Sequence, residues 1–198
     1  MSEPLKVGTA VGLPIGESIL TTDERASARA EESALVRAAR DGDQRAFERL
    51  YVLYGRMVHG ILLARVPRVQ VDDLVQDVFI AAWQRLRSLR DDAAFGGWLA
   101  AIARNRATDH HRQVVDTVAL SEDLSGHGGM PDAPYEAARA LEAIRALPDA
   151  YRETLVLRLV EGLSGPEIAD RTGLTPASVR VNLHRGMKLL REKLGIQA

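Results

Sequence analysis

The side chains best suited to binding a ligand are concentrated in residues 163–194, LSGPEIADRTGLTPASVRVNLHRGMKLLREKL. Its second half mixes Ser, Asn, Arg and Lys, which bond phosphates and base edges. Residues 180–193 alone carry five Lys or Arg and one Glu. This local basic character favours contact with a nucleic acid, although the whole chain has a net charge of −1.

The elements that position these side chains follow from helix start and stop residues. Ser164 and Glu167 have the spacing of a capping box, which predicts a helix start. Gly173 predicts its end, and Thr175 followed by Pro176 predicts the cap and first position of another helix. Helix, glycine turn and helix is the order of a DNA-binding helix-turn-helix, but it also occurs in ordinary all-α cores.

The second of these helices has two distinct faces. An apolar stripe at helical spacing predicts the core side: Val179, Leu183, Met187, Leu190 and Leu194. The opposite side is polar, basic or small, and we expect it to face DNA: Ser178, Val181, Arg185 and Lys188, with Ala177 and Asn182 beside them.

Another two-faced helix is predicted in VDDLVQDVFIAAWQRLRSL, from about Asp72 to Leu89. At about 100° per residue, one broad face is apolar: Leu74, Val75, Val78, Phe79, Ala82, Trp83 and Leu86. The opposite face carries a narrow stripe: Asp73, Gln76, Asp77 and Ile80. This stripe predicts a partner surface, and the alternative is a solvated helix face with one exposed apolar residue.

The next helix, FGGWLAAIARNRATDHHRQ, is predicted from about Phe95 to Arg112. Its buried stripe is Phe95, Trp98, Leu99, Ile102 and Ala103. Its outer side offers donors to phosphates and bases: Arg104, Asn105, Thr108, His111 and Arg112. A merely solvated polar face is an equal alternative. His110 and His111 do not form a metal pair, because adjacent helical positions diverge by about 100°.

Composition excludes several classes of protein. The 198-residue chain has no Cys, no phosphate-binding glycine loop and no His, Asp or Glu cluster with metal spacing. We therefore expect no catalytic residues, no metal and no cofactor. No apolar run reaches the ~20 residues of a membrane span, and no secretory signal is visible, so we expect no membrane insertion.

Periodicity predicts an all-α fold with two small helical domains. Residues 1–32 predict a flexible N-terminal arm, and helical patterning begins near Ser33. Residues 33–113 form the first domain and residues 136–198 the second. Residues 114–135 hold four acidic and no basic residues, with Gly, Pro and Ser, and predict a flexible acidic linker.

Three stretches stand in a distinctive order: DGDQRAFERLY, then DDLVQDVFIAAW with FGGWLAAIARNRATDHHR, then LPDAYRETLVLRLVEGLSGPEIADRTGLTPASVRVNLHRG. Together they resemble the extracytoplasmic-function (ECF) group of bacterial sigma-70-type sigma factors. The resemblance covers about residues 34–113 and 136–195. It implies a sigma-2 domain that binds core RNA polymerase and the minus-ten element, and a sigma-4 domain that binds the minus-thirty-five element.

The resemblance also implies sites. The stripe Asp73, Gln76, Asp77 and Ile80 resembles the surface that docks on the polymerase clamp helices. The loop from Leu89 to Phe95 resembles the element that captures a flipped base. The implied minus-ten contacts are Arg90, Asp91, Phe95, Arg104, Asn105, Thr108, His111 and Arg112. The implied minus-thirty-five contacts are Thr175, Ala177, Ser178, Arg180, Val181, Asn182, Arg185 and Lys188.

This chain departs from the family at Val181 and Asn182, where small polar and basic residues are common. Asn can pair with adenine, and Val can meet a thymine methyl, so the departures alter the expected promoter sequence.

The expected function is an alternative sigma factor that directs promoter recognition, DNA opening and initiation. Its expected partners are core RNA polymerase, through the clamp helices and the flap, promoter DNA and an anti-sigma factor. The expected location is the cytoplasm, where an anti-sigma factor can hold the protein at the membrane. The alternatives are a stand-alone helix-turn-helix regulator and a sigma-like decoy that binds polymerase without promoters.

Overall fold

The computed structural model describes residues 22–118 and 135–196. Every regular element in these ranges is helical, which confirms the predicted all-α class. The α-helices, numbered in chain order, are α1 (Thr22–Arg40), α2 (Gln44–Leu63), α3 (Val71–Arg85), α4 (Phe95–Val118), α5 (Tyr135–Arg145), α6 (Asp149–Leu159), α7 (Gly165–Thr172) and α8 (Pro176–Leu194). Short 3-10 turns lie at Arg68–Gln70, Leu86–Ser88 and Asp92–Ala94.

Helices α1, α3 and α4 pack around α2, which contacts each of them. The Asp43 side chain starts α2 as predicted, since it accepts hydrogen bonds from the Arg45 and Ala46 amides at 2.9 and 3.2 Å. Apolar residues at helical spacing then bury one side of α2: Leu50, Met57, Val58, Ile61 and Leu62.

Tyr54 ties three helices of this unit together. Its buried ring packs edge-on against Phe95 of α4, with ring centroids 5.1 Å apart. Its hydroxyl donates a hydrogen bond to the Glu32 carboxylate of α1. Burial, reinforced by that carboxylate, raises the pKa of Tyr54 far above its ordinary value, so the hydroxyl remains a donor at any physiological pH.

Helices α5 to α8 form a second unit, whose core gathers side chains from all four helices: Leu141, Ile144, Leu155, Ile168, Val179 and Leu190. Helices α6 and α8 cross closely at Gly186. A Cβ added there would lie 3.1 Å from Leu155 and 3.2 Å from Tyr151. The absence of a side chain at Gly186 therefore brings α8 against α6.

The two units share a continuous apolar core in the described residues. Helix α6 packs on α2, and α7 packs on α4. A Cβ added at Gly60 of α2 would lie 2.7 Å from Leu157 and 2.8 Å from Glu161, so glycine permits this approach. A Cβ added at Gly96 of α4 would lie 2.6 Å from the Arg171 carbonyl oxygen. We call the contact of α2 and α4 with α5, α6 and α7 the closed interface.

Two predicted boundaries differ from the structure. Helix α1 begins at Thr22, so the predicted flexible arm is wrong for residues 22–32. This stretch is rich in Ala, Glu and Arg, which favour helix, and Asp23 and Glu24 suit the positive end of the helix dipole. Helix α4 continues to Val118, past the predicted linker start, because no Gly or Pro interrupts it. The remaining predicted arm, residues 1–21, and residues 119–134 of the predicted linker lie outside the described residues.

The predicted DNA contact at Phe95 is wrong. Its side chain is 0% exposed and packs between the rings of Tyr54 and Trp98, at centroid distances of 5.1 and 5.9 Å. A base cannot reach a ring that is enclosed by α2 and α4. The sequence placed Phe95 both in the buried stripe of α4 and among the DNA contacts, and the packing shows that it belongs to the core.

Replacing Phe95 with Ala is expected to lower the free energy of unfolding by about 3–5 kcal/mol, because it leaves a cavity among packed rings. Val52→Ala, on the exposed side of α2, is the control and is expected to change it by no more than about 0.5 kcal/mol. Chemical denaturation followed by circular dichroism measures both. Equal stability of the two variants would contradict the core assignment of Phe95.

Candidate nucleic-acid interface

The helix-turn-helix forms by local capping, as the sequence predicts. Ser164 Oγ accepts a hydrogen bond from the Glu167 amide at 3.3 Å, and the Glu167 carboxylate accepts one from the Ser164 amide at 2.8 Å. Burial opposes ionisation of Glu167, but these bonds and the charge of Arg171 outweigh it and lower its pKa. Gly173 ends α7 in the left-handed region, at φ 75°.

Helix α8 begins where predicted, because Thr175 Oγ1 accepts a hydrogen bond from the Ser178 amide at 3.1 Å and Pro176 follows. Val179 and Leu190 are buried, while Leu183, Met187 and Leu194 are partly buried against the core. The predicted DNA-facing residues lie on the other side. Asn182 is half-buried, and the rest are exposed: Thr175, Ala177, Ser178, Arg180, Val181, Arg185 and Lys188.

The basic side chains of α8 keep their charges available. Arg180, Arg185 and Lys188 form no ion pair anywhere in the described part of the chain, and neither do Arg191 and Lys193. A helix that offers unpaired cations and small side chains on one face has the shape and charge to enter a major groove.

The predicted stripe on α3 lies on the surface. Asp73, Gln76 and Asp77 are exposed, and Ile80 is 55% exposed. On the opposite side Val75, Val78, Phe79 and Ala82 are buried as predicted, together with Leu86. Leu74 is only partly buried.

Trp83 differs from the prediction that it lies in the core, because it is 36% exposed. It packs edge-on against Phe47 of α2, with ring centroids 4.8 Å apart, at the rim of the α2–α3 contact. The α3 surface therefore pairs two carboxylates with an exposed Ile beside an aromatic rim, which suits a mixed polar and apolar protein partner.

The loop between α3 and α4 is held by α1. Arg40 of α1 pairs with Asp92 at 2.8 Å and donates a hydrogen bond to the Leu89 carbonyl oxygen at 3.1 Å. Asp91 accepts a hydrogen bond from the Ala93 amide at 3.0 Å. Arg90 and Asp91 project to the surface, so the loop presents one charge of each sign from a fixed backbone.

The outer face of α4 is divided between surface and interface. Asn105, Thr108 and Arg112 are exposed as predicted. His111 is exposed, but its Nε2 lies 2.8 Å from the Arg65 carbonyl oxygen at the end of α2. Arg104 is turned toward the second unit, where it meets a carboxylate. The predicted minus-ten set is therefore not a single free surface in this arrangement.

That carboxylate belongs to Glu153 of α6, whose side chain is only 6% exposed. Its two oxygens accept from Arg104 Nη2 at 2.7 Å and Arg104 Nε at 3.1 Å, a bidentate pair. Arg65, at the end of α2, donates to Glu153 at 2.7 Å and to Asp149 at 2.8 Å. The hydrogen bond from Arg65 lowers the pKa of Asp149 below its usual range.

The second unit also caps the end of α2. The last carbonyl oxygens of a helix have no partner within it. Arg145 of α5 donates to the Leu63 oxygen at 3.0 and 3.1 Å and to the Val66 oxygen at 2.9 Å. Arg152 of α6 donates to the Ala64 oxygen at 3.4 Å. Cations placed here also complement the negative end of the α2 dipole.

A histidine completes the closed interface. His59 Nδ1 lies 2.6 Å from the Glu161 carboxylate, next to Gly60. The hydrogen bond to Glu161 raises the pKa of His59 above its ordinary value, despite the opposing effect of partial burial. Asp72 adds to this rise, and Arg68 opposes it.

Four further residues belong to this site but carry no local sequence signal: Arg65, Arg145, Glu153 and Glu161. No short-range spacing marks them, because each contacts a residue of the other helical unit. In the described ranges, no cluster of three or more His, Asp or Glu is arranged to hold a metal ion. Nor does any helix in those ranges have the length and apolarity to cross a membrane.

The fold and its exposed faces define a sigma-70-type protein. The model of sigma-70 region 2 matches residues 50–115, and that of sigma-70 region 4 matches residues 137–190. The first match runs from the second turn of α2 almost to the end of α4, and the second runs from α5 through most of α8.

The chain is 36% identical over 163 residues to the RNA polymerase sigma factor CarQ of Myxococcus xanthus, covering 79% of this chain and 93% of CarQ. It is 30% identical over 180 residues to the ECF RNA polymerase sigma-E factor of Escherichia coli, covering 82% and 94%. Among solved structures, CnrH in complex with the cytosolic domain of CnrY has a TM-score of 0.57 and 28% identity, with 84% of this chain and 99% of that chain covered.

The chain belongs to the ECF group of sigma-70-family RNA polymerase sigma factors. It is an alternative sigma factor that directs promoter-specific transcription initiation.

The His59–Glu161 contact is expected to make stability depend on pH. Because the pKa of His59 is raised in the folded chain, its contribution is fully present below the unfolded value of ~6.5 and is lost as pH rises through the folded value. The stability difference between the unmodified chain and His59→Gln is thus expected to shrink from pH 6 to pH 9. Denaturant titrations across that range measure it.

His184→Gln, on an exposed histidine of α8, is the control and is expected to leave this pH dependence unchanged. A stability difference for His59→Gln that stays constant from pH 6 to pH 9 would contradict the charged His59–Glu161 pair.

Proposed function

We propose that this sigma factor contacts core RNA polymerase through the α3 stripe and reads a two-part promoter with surfaces on α4 and α8. The observation that carries the proposal is the exposed face of α8, because its unpaired cations follow a capped helix-turn-helix. The face contains Arg185 and Lys188 for phosphates or guanine and Asn182 for adenine. It is the surface through which we propose minus-thirty-five recognition.

The core-binding proposal rests on α3. Asp73, Gln76, Asp77 and Ile80 are all exposed on one side, while the other side anchors the helix in the first unit. Carboxylates around an apolar residue fit a basic, partly apolar partner such as the polymerase clamp helices. The flap is the further polymerase contact we propose, for the second helical unit.

The minus-ten proposal uses Arg90 and Asp91 of the loop with Asn105, Thr108, His111 and Arg112 of α4. These side chains lie at the surface, and the loop backbone is fixed by Arg40. Arg104 belongs to this set only when it is released from Glu153. Phe95 is left out because it lies in the core.

Regulation and location follow from this proposed role. The relative CnrH forms a complex with the cytosolic domain of CnrY, which supports an anti-sigma factor as a partner of this chain too. A sigma factor works where RNA polymerase works, so we propose a cytoplasmic location. We propose no catalytic residue, metal or cofactor in this chain, since initiation chemistry belongs to the polymerase.

In-vitro transcription with bacterial core polymerase is the decisive experiment. Transcripts that appear only when this protein is added, from sites with two spaced elements, are the expected result. Asp73→Lys with Asp77→Lys is expected to abolish them by weakening core binding, because both charges then repel a basic partner. Glu48→Lys, exposed on α2, is the control for reversal of one surface charge away from α3. Specific binding to duplex DNA with no core-dependent transcripts would instead indicate a stand-alone regulator.

Arg185→Ala is expected to weaken minus-thirty-five binding by about 1–3 kcal/mol at the position it reads, with relaxed specificity there. Anisotropy titrations of the polymerase complex on matched and singly substituted promoter fragments measure this. Arg191→Ala, also exposed on α8 but near its end, is the control for loss of one positive charge. An equal loss on every DNA sequence would make Arg185 a phosphate contact.

A further inference from the structure

Two arginines of the first helical unit hold an anion that comes from the second unit. Arg65 closes α2, and Arg104 lies in the middle of α4. Between them lies the Glu153 carboxylate, bound by Arg104 through two hydrogen bonds and by Arg65 through one. Neither Arg65 nor Glu153 has a part in the promoter or polymerase contacts described above.

The arrangement has the chemistry of a phosphate site. A guanidinium fork binds two oxygens of a carboxylate or of a phosphate with the same geometry. Arg65 Nε is buried and makes no hydrogen bond, so this guanidinium retains an unused donor. Arg104 shares its face with Asn105 and Thr108, which we assign to DNA. A backbone phosphate bound beside those residues therefore fits the same pair of arginines.

We propose that Arg65 and Arg104 form a DNA-phosphate site and that Glu153 occupies it in the free protein. The closed interface then competes with promoter DNA for these two arginines. This inference rests on the proposed minus-ten role of α4. It adds Arg65 to the DNA-binding residues and makes Glu153 an internal competitor of the DNA backbone.

The exchange of carboxylate for phosphate is energetically feasible. Removing one partner from a buried ion pair is costly because it leaves a charge unpaired. When DNA replaces Glu153, both arginines stay paired, and Glu153 becomes solvated as α6 moves away. The α8 face is exposed while the interface is closed, so only the α4 side is masked.

Gly60 provides a selective way to open the interface. The atoms nearest to a Cβ at this position belong to Leu157 and Glu161, both from the second unit. Gly60→Ala therefore obstructs the closed interface without a clash inside the first unit. Gly55→Ala is the matched control, because it lies on the same helix and a Cβ there meets nothing within 4 Å. Glu153→Gln is the second variant, since it removes the competing charge and keeps the side-chain size.

Opening can be measured directly because the chain has no cysteine. Spin labels are attached at Glu48→Cys on α2 and Glu192→Cys on α8, both exposed. Double electron–electron resonance is expected to give the same short label distance in the labelled chain without further changes and in the control variant Gly55→Ala. Gly60→Ala and Glu153→Gln are expected to shift the distribution to longer distances. Circular dichroism verifies that each variant is folded.

Binding of a labelled oligothymidylate tests the phosphate site, because phosphate contacts need no specific sequence. Gly60→Ala is expected to bind at least about threefold tighter than Gly55→Ala at low salt. Because the two released arginines bind one phosphate, the slope of log affinity against log salt is expected to steepen by about 0.7, the value for one phosphate of a single strand. Adding Arg65→Gln and Arg104→Gln to Gly60→Ala is expected to remove both effects.

Two results would overturn the inference. The first is an unchanged label distance in both opening variants. The second is an open Gly60→Ala chain whose oligothymidylate affinity and salt slope match those of Gly55→Ala. Core-dependent transcription by the unmodified chain is scored separately. If transcripts appear but either of these two results is obtained, the sigma-factor function stands and only the masking of Arg65 and Arg104 by Glu153 is rejected. If no transcripts appear, the function itself is rejected.

Discussion

The approach of α6 to the last turns of α2 is the contact on which the arrangement of the whole molecule depends. Gly60 makes it possible, since any side chain there would strike Leu157 and Glu161. Once α6 lies this close, Glu153 reaches Arg65 and Arg104, and Glu161 reaches His59. Arg145 and Arg152 then cap the exposed carbonyl oxygens at the end of α2. One missing Cβ thus allows a network of charges to form between two helical units.

The composition of this interface explains how it can be both specific and reversible. Its centre is apolar, with Leu157 fully buried, but much of its periphery consists of ion pairs and charged hydrogen bonds. Burying such pairs gains little net free energy, because the loss of hydration offsets most of the attraction. Orientation is nevertheless strict, since each guanidinium needs its own acceptor. A sigma factor needs two units that can separate onto distant promoter elements, and an interface of this kind holds them together without making separation prohibitive.

The binding surfaces differ in how they are built. The α3 stripe and the α8 face are each presented by one helix whose opposite side is anchored in its own unit. They are exposed whether or not the units are in contact. The α4 face is composite, because Arg104 takes part in the closed interface and His111 contacts the end of α2 within the first unit, while Asn105 and Arg112 lie at the surface. Polymerase contact and minus-thirty-five recognition are therefore available in the closed chain, and the minus-ten side is the one that changes with the arrangement of the units.

Features that depend on neighbours three or four residues apart could be predicted from the order of the amino acids. These include the Ser164–Glu167 box, the Gly173 turn, the Thr175 cap and the outward sides of α3 and α8, and all were predicted correctly. Which polar side chains are covered, and which of two predicted roles Phe95 has, follows only from how the helices pack. Phe95 lies in the core and Trp83 at its rim. Arg104 binds Glu153, which is 49 residues away in the sequence, and Arg65 binds the same carboxylate across a sequence separation of 88 residues. Helical periodicity reports which side of a helix is apolar, but the partner of a polar side chain depends on how separate helices pack, and no local spacing encodes that.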